Sequence, residues 1–196
     1  MANAALRESS DYYTYGDYKT WDDDLRYELI DGEAFLMSPA PTTTHQGLLG
    51  NLFWQINGYF RNIGGECQVF FAPVDVLLPD GDEESEDDID TVVQPDIVIV
   101  CDKSKVQVKG IFGAPDVVFE VLSPSTKSRD MDEKLRLYER AGVREYFIVD
   151  PKESVVTAYR SKGGDHFSRK TLYEAADTLE FDTFKELKVS LAEVFA

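Results

Sequence analysis

Two cysteines and two histidines are all the soft metal ligands that the 196 residues offer, too few for a zinc cluster. Cys67 and Cys101 each sit in or beside an apolar strand pattern, so two buried free thiols are expected rather than a disulfide. Also missing are the phosphate-cradling GxxxxGK[ST] loop and the GxSxG elbow, which sets aside nucleotide hydrolases and serine hydrolases. No apolar run approaches a membrane span, and the start, MANAALRESSDYY, has no basic segment followed by an apolar core of signal-peptide length. The expectation is a soluble, cytoplasmic protein with no membrane partner. Positive charge is scarce: 20 Lys and Arg face 37 Asp and Glu, for a net charge of −17. That balance argues against a protein that coats nucleic acid electrostatically. Eight of the acids fall in residues 80–90, DGDEESEDDID, a run without a base that reads as a solvated loop.

What is present is organised around PDVVFEVLSPST, Pro115 to Thr126. Val117, Val118, Phe119, Val121 and Leu122 surround Glu120 with side chains for both faces of a strand, the pattern of a central strand covered on both sides. An ionised carboxylate there needs a cation, a metal or a set of donors. An ion pair with Arg129 or Arg136, a protonated Glu120 and a metal ligand are all open. The metal gains from VVQPDIVIV, Val92 to Val100, where Asp96 interrupts a second apolar strand in the same way.

The length suits one α/β domain, read as a loose arm over residues 1–13 and a single domain over 14–196. A short helix is expected from Thr14 to Trp21, and a hairpin over Arg26 to Ser38 about Asp31-Gly32. A helix from about His45 to Arg61 carries an apolar stripe from Leu48 to Phe60, places His45 facing inward at its start, and stops at Gly64-Gly65. Glu66 to Leu78 and Val92 to Cys101 read as antiparallel strands flanking the acidic loop. After the Glu120 strand, a helix from about Asp130 to Ala141, capped within Ser125 to Ser128, leads into a short buried strand, Arg144 to Pro151. A helical crossover makes that strand parallel to the Glu120 strand. Ser154 to Arg160, Phe167 to Tyr173 and Leu187 to Val194 form a β-rich extension.

This order, with PD on one strand and E on the next, resembles the restriction-endonuclease-like PD-(D/E)xK core, and within it the Uma-type family of endonucleases. The matching residues are YELIDGE (Tyr27 to Glu33), His45, QPDIVIV (Gln94 to Val100), FEVLSPST (Phe119 to Thr126) and DMDEKLRLYERAGVREYFIVDP (Asp130 to Pro151). The resemblance implies a central mixed β-sheet flanked by helices, with an N-terminal hairpin and a C-terminal β extension. It also implies a Mg²⁺-dependent endonuclease, with Mn²⁺ as a second metal, acting on nucleic acid, DNA being favoured, and working as a homodimer. Asp96 and Glu120 would be the metal ligands, since Mg²⁺ prefers one or two carboxylates and keeps waters that serve as nucleophile. The superfamily's lysine, two residues after the acid, helps orient or deprotonate that water, and here Leu122 stands in its place. Lys134 on the following helix is the replacement, with Tyr138 one turn on along the same face. His45 and Glu33 are further candidates for the site.

A second reading keeps the fold without the chemistry, as a regulatory or protein-binding module, and rests on Leu122 and the acidic balance. A third is an unrelated α/β enzyme for a small acidic or phosphorylated substrate.

Overall fold

Asp31 and Gly32 have φ angles of 53° and 78°, the two positive values that a two-residue hairpin turn requires. They join β1 (Tyr27–Ile30) to β2 (Glu33–Leu36), with Ile30 opposite Glu33. The structure is a computed structural model in which residues 11–22, 24–37, 40–123, 127–163 and 166–196 are described. The hairpin and α1 (Tyr15–Tyr18) before it lie where the sequence predicts them. The expected arm falls outside the described residues as far as residue 10, and Tyr13 fastens its end by donating its N–H to the Gly32 carbonyl at 2.8 Å.

Thr42 caps α2 (Thr43–Ile63) by accepting the His45 N–H at 3.2 Å, and Gly64, with φ 63°, ends it. Leu48, Leu49, Leu52, Ile56 and Phe60 form its buried stripe. Burial of each such side chain contributes about 1.5–3 kcal/mol, so α2 is held mainly by what it covers.

The two strands expected around the acidic loop are in fact four: β3 (Gln68–Phe71), β4 (Val76–Leu77), β5 (Val92–Val93) and β6 (Ile97–Val100). β3 pairs with β6 and β4 with β5, both antiparallel as predicted, but in different sheets. Pro73 and Pro95 sit at the two breaks, where a residue without an N–H cannot continue a ladder. β7 (Val106–Gln107) and β8 (Gly110–Phe112) occupy a stretch expected as loop.

β9 (Val117–Val121) is the Glu120 strand. The helix after it comes in two pieces, α3 (Lys127–Met131) and α4 (Glu133–Arg140). Part of its expected cap, residues 125 and 126, lies outside the described residues. β10 (Glu145–Asp150) returns parallel to β9, as the crossover predicts. β11 (Val155–Ser161) and β12 (Phe167–Glu174) extend the sheet antiparallel, and β13 (Thr178–Glu180), β14 (Lys188–Ser190) and α5 (Leu191–Val194) close the chain.

The α/β class holds: among the described residues twelve strands are divided between two six-stranded mixed sheets, and β13 and β14 pair antiparallel in a separate two-stranded one. One six-stranded sheet runs β12-β11-β10-β9-β6-β3 and the other β2-β1-β5-β4-β8-β7. Alternation along β9 sorts its side chains between two cores. Val117, Phe119 and Val121 pack with α2 and the C-terminal elements. Val118 and Leu122 face the opposite way, toward Leu137 and Tyr138 of α4 and toward Ile30, Val76 and Val93 of the second sheet. Glu120 points with them, into the layer between the sheets.

The cysteines require a correction. Gln68 pairs with Val100, which sets Cys67 and Cys101 opposite each other one step along the same ladder, and their sulfurs are bonded. The expectation of free thiols failed because a separation of 34 residues hides a register contact.

Candidate functional site

Glu120 is 5% exposed and Lys134, from α4, 4%. The cation that meets the buried carboxylate is therefore Lys134, whose Nζ donates to Glu120 Oε1 at 2.8 Å. Neither arginine weighed for that role takes it: Arg129 lies over the Phe35 ring, its Nε 3.8 Å from Glu133, and Arg136 is not among the partners of Glu120. Tyr138, fully buried one turn beyond Lys134, donates its hydroxyl to the same Oε1 at 2.9 Å. The reach of Lys134 and Tyr138 to one oxygen follows from their spacing, since residues four apart share a helix face.

Asp96 lies between Pro95 and β6, and its Oδ2 accepts the Val121 N–H at 2.7 Å, one residue beyond Glu120. His45 Nε2 is 3.3 Å from the same Oδ2, so the first turn of α2 does face inward. Its Nδ1 is buried without a hydrogen-bond partner among the described residues. Asp96, Glu120, Lys134, Tyr138 and His45 are thus gathered about the start of β6 and the middle of β9. Glu33 is not part of the group. It is half-buried opposite Ile30 at the turn end of the hairpin and makes none of these contacts.

The hairpin supplies a different glutamate. Glu28, 2% exposed on β1, accepts from Lys134 Nζ at 2.8 Å and from the Gln94 backbone N–H at 2.9 Å, both on Oε1. Asp130, 2% exposed, lies 3.8 Å from Lys134. The signal for Glu28 was available, as an acid inside the β-prone run Tyr27 to Ile30, the same feature that singled out Asp96 and Glu120. Asp130 stands four residues before Lys134, a spacing that signals an ion pair.

Three buried carboxylates therefore surround one buried ammonium. Burial raises the Glu120 carboxyl well above its ordinary range; Lys134 counteracts this, while Asp130, Asp96 and Glu28 push the same way as burial. For Lys134 burial works to lower the pKa, but Glu120, Glu28 and Asp130 outweigh it and the ammonium is held. Tyr138 is pushed up by burial and by Glu120. His45 is raised by its hydrogen bond to Asp96 against the opposing effect of burial. Elsewhere, Asp31, Asp80 and Asp90 bring carboxylate oxygens within 4.8 Å of one another at the surface, where Arg140 pairs with Asp31 and Tyr12 donates to Asp90.

Residues 15–192 match the Uma2 family, described as "Putative restriction endonuclease". The chain belongs to that family. A crystal structure from Anabaena variabilis ATCC 29413, described as "a putative nuclease belonging to DUF820", superposes with a TM-score of 0.72 over 93% of this chain and 97% of its own, at 19% identity. That likeness shows a common fold and bears out the restriction-endonuclease-like core. "Uncharacterized protein slr1290" of Synechocystis sp. (strain ATCC 27184 / PCC 6803 / Kazusa) is 24% identical over 166 residues, 84% of this chain and 82% of the relative. In this Uma2 chain Pro95-Asp96 stands immediately before β6 and Glu120 lies on β9, the antiparallel neighbour of β6. No helix among the described residues is long and apolar enough to cross a membrane.

Proposed function

We propose that this protein is a Mg²⁺-dependent endonuclease that hydrolyses phosphodiester bonds in nucleic acid, with DNA the favoured substrate. The observation that carries the reading is that Asp96 accepts the N–H of Val121, the residue next to Glu120, while Lys134 donates to Glu120. Among the described residues, every contact to the Asp96 carboxylate falls on Oδ2 and every contact to the Glu120 carboxylate on Oε1. Each acid therefore keeps one oxygen outside the internal network, and the surrounding excess of buried negative charge favours a divalent cation. Such a hard, all-oxygen donor set suits Mg²⁺ or Mn²⁺. When bound, the ion supplies positive charge for the attacking water and the departing oxygen.

The chain's own residues do the rest. Asp96 and Glu120 would hold the metal; the Val121 N–H and His45 fix the Asp96 carboxylate, and Tyr138 fixes that of Glu120. Lys134 presents an ammonium beside Glu120 that orients the water for attack on phosphorus. Water adds across the P–O bond, leaving a phosphate monoester on one end and a hydroxyl on the other. The lysine reaches this place from α4 rather than from β9, so Leu122 is free to be a core residue, and it is buried with Val118.

The test is cleavage of supercoiled and linear duplex, single-stranded DNA and RNA by the purified chain with Mg²⁺, Mn²⁺ or chelator. Duplex cleavage is expected with metal only, and Asp96→Asn and Glu120→Gln should each reduce it to background. Thermal midpoints supply a check independent of turnover. A ligand bound only to the folded state at about 100 times its Kd adds roughly 2.7 kcal/mol, so Mg²⁺ should raise the parent's midpoint and leave both variants unmoved. A parent that neither cuts nor responds to millimolar metal would favour the non-catalytic reading, which rests on Leu122 and the acidic balance.

The acidic run bears on substrate binding. It is exposed but anchored: Lys19 reaches Asp87 at 2.5 Å, Glu83 accepts the N–H groups of Asp80 and Gly81, and Ile89 is buried. Asp82 and Glu84 are exposed and make none of these contacts. Neutralising them as Asp82→Asn and Glu84→Gln should tighten binding to random duplex in about 10 mM salt, where charges act over roughly 30 Å, and change little at 1 M, where they act over about 3 Å. Equal affinities at low salt would show that the run does not repel DNA.

A further inference from the structure

Lysine carries its charge on a flexible four-carbon stem. On β9 the strand itself would aim such a side chain, but Lys134 comes from an eight-residue helix and needs another constraint. Glu120 supplies one contact at 2.8 Å and Glu28, from the other sheet, supplies the second at the same distance. Glu28 is in turn held by the Gln94 backbone N–H at 2.9 Å. Gln94 is tied on its side-chain atoms as well: Arg26 donates to Oε1, while Nε2 donates to Asp75 at 2.7 Å and to the Tyr18 hydroxyl at 3.1 Å. Two residues after Gln94 comes Asp96, so the backbone that carries one proposed metal ligand also fixes the carboxylate that holds the lysine.

Charge balance does not require Glu28. Glu120 alone neutralises Lys134, and an additional buried carboxylate is unfavourable by several kcal/mol unless it is well bonded. A core built for stability alone would place an apolar side chain there, as Tyr27, Leu29 and Ile30 are placed around it.

We propose that Glu28 is a positioning residue for the reaction: it fixes the Lys134 ammonium between β1 and β9, so that a lysine supplied by a helix stands where a strand lysine otherwise would. This rests on the reading of Asp96, Glu120 and Lys134 as a hydrolytic site. Glu28 touches neither substrate nor metal in this role and acts through Lys134.

The experiment uses the full chain with Mg²⁺ and duplex DNA. Glu28→Gln, nearly isosteric, should lower kcat by about 10- to 100-fold, the range typical of residues that orient a site, with KM little changed. Glu28→Asp, which keeps the carboxylate, should recover part of the loss. Glu28→Gln combined with Lys134→Met should be no slower than Lys134→Met alone. An unchanged kcat, or losses that multiply, would overturn the proposal. Should the parent cleave nothing, the nuclease reading fails and a spectroscopic measurement still decides on Glu28. In protein labelled with ¹⁵N-lysine, the Lys134 ammonium should give a resonance protected from solvent exchange, identified by its absence in Lys134→Met. Loss of protection and a shifted position in Glu28→Gln support the positioning role; an unmoved, protected resonance overturns it.

Discussion

Lys134→Met should be among the most destabilising single changes in this protein. The substitution removes the Lys134 ammonium from among Glu28, Glu120 and Asp130, all three at least 95% buried. Breaking a buried pair by removing one partner costs about 3–5 kcal/mol, because the charge left behind has lost its water and its counterion. Glu120→Gln should behave in the opposite way, since it leaves Lys134 paired with Glu28 and removes one of three crowded acids, while the Tyr138 hydroxyl still finds an amide oxygen. Metal-free urea unfolding in chelator compares them. A large drop in midpoint is expected for Lys134→Met, and little change or a gain for Glu120→Gln. If both variants lose stability equally, Glu120 is a structural partner of Lys134 and the site carries no excess charge, which removes much of the case for a cation.

Arg160→Met should produce a loss of similar size at the other end of the central sheet. Arg160 and Glu145 are each 1% exposed, and Arg160 Nε donates to Glu145 at 2.9 Å. Its Nη2 reaches the Tyr173 hydroxyl at 3.0 Å and the Glu180 carbonyl, and its guanidinium lies against the rings of Phe147 and Tyr173. Glu145 also accepts the N–H groups of Asp182 and Thr183. The pair therefore fastens the C-terminal hairpin to β10, and the methionine variant should lose about 3–5 kcal/mol by leaving Glu145 uncompensated. Arg160→Lys should not rescue it, because a single ammonium cannot span the fork's separate acceptors. Pairing Arg160→Met with Glu145→Leu should recover much of the loss, since a packed apolar pair replaces a buried ionic one at little net cost. Hydrogen exchange over residues 178–194 reads the local effect: faster exchange there is expected, and unchanged protection would show that the hairpin docks without this ion pair.

The α/β class, the Asp31-Gly32 turn, α2 with its inward His45, and the parallel β9 and β10 were all legible in the chain by itself. Each rests on a local rule: positive φ at a turn, an apolar period, a helix between two strands. Asp96 and Glu120 were legible for a related reason, since an acid inside an apolar run is anomalous wherever that run ends up, although Asp96 falls at the break just before β6. Glu28 obeys the same rule but is embedded in a hairpin signal, and a hairpin on its own does not reveal whether its acids face solvent or a second layer. Only the tertiary structure decided that. Packing the hairpin sheet onto the far side of β9 buries Glu28 rather than Glu33 and closes the lysine between two sheets. Packing also placed Cys67 against Cys101, split the strands at Pro73 and Pro95 between two sheets, and chose Lys134 over Arg129 and Arg136 as the partner of Glu120. The physical reason is common to all of these. Period and turn chemistry act over a few residues, whereas the partner of a buried charge or thiol is set by which distant element is laid against it, and that depends on register and layer order across the whole chain.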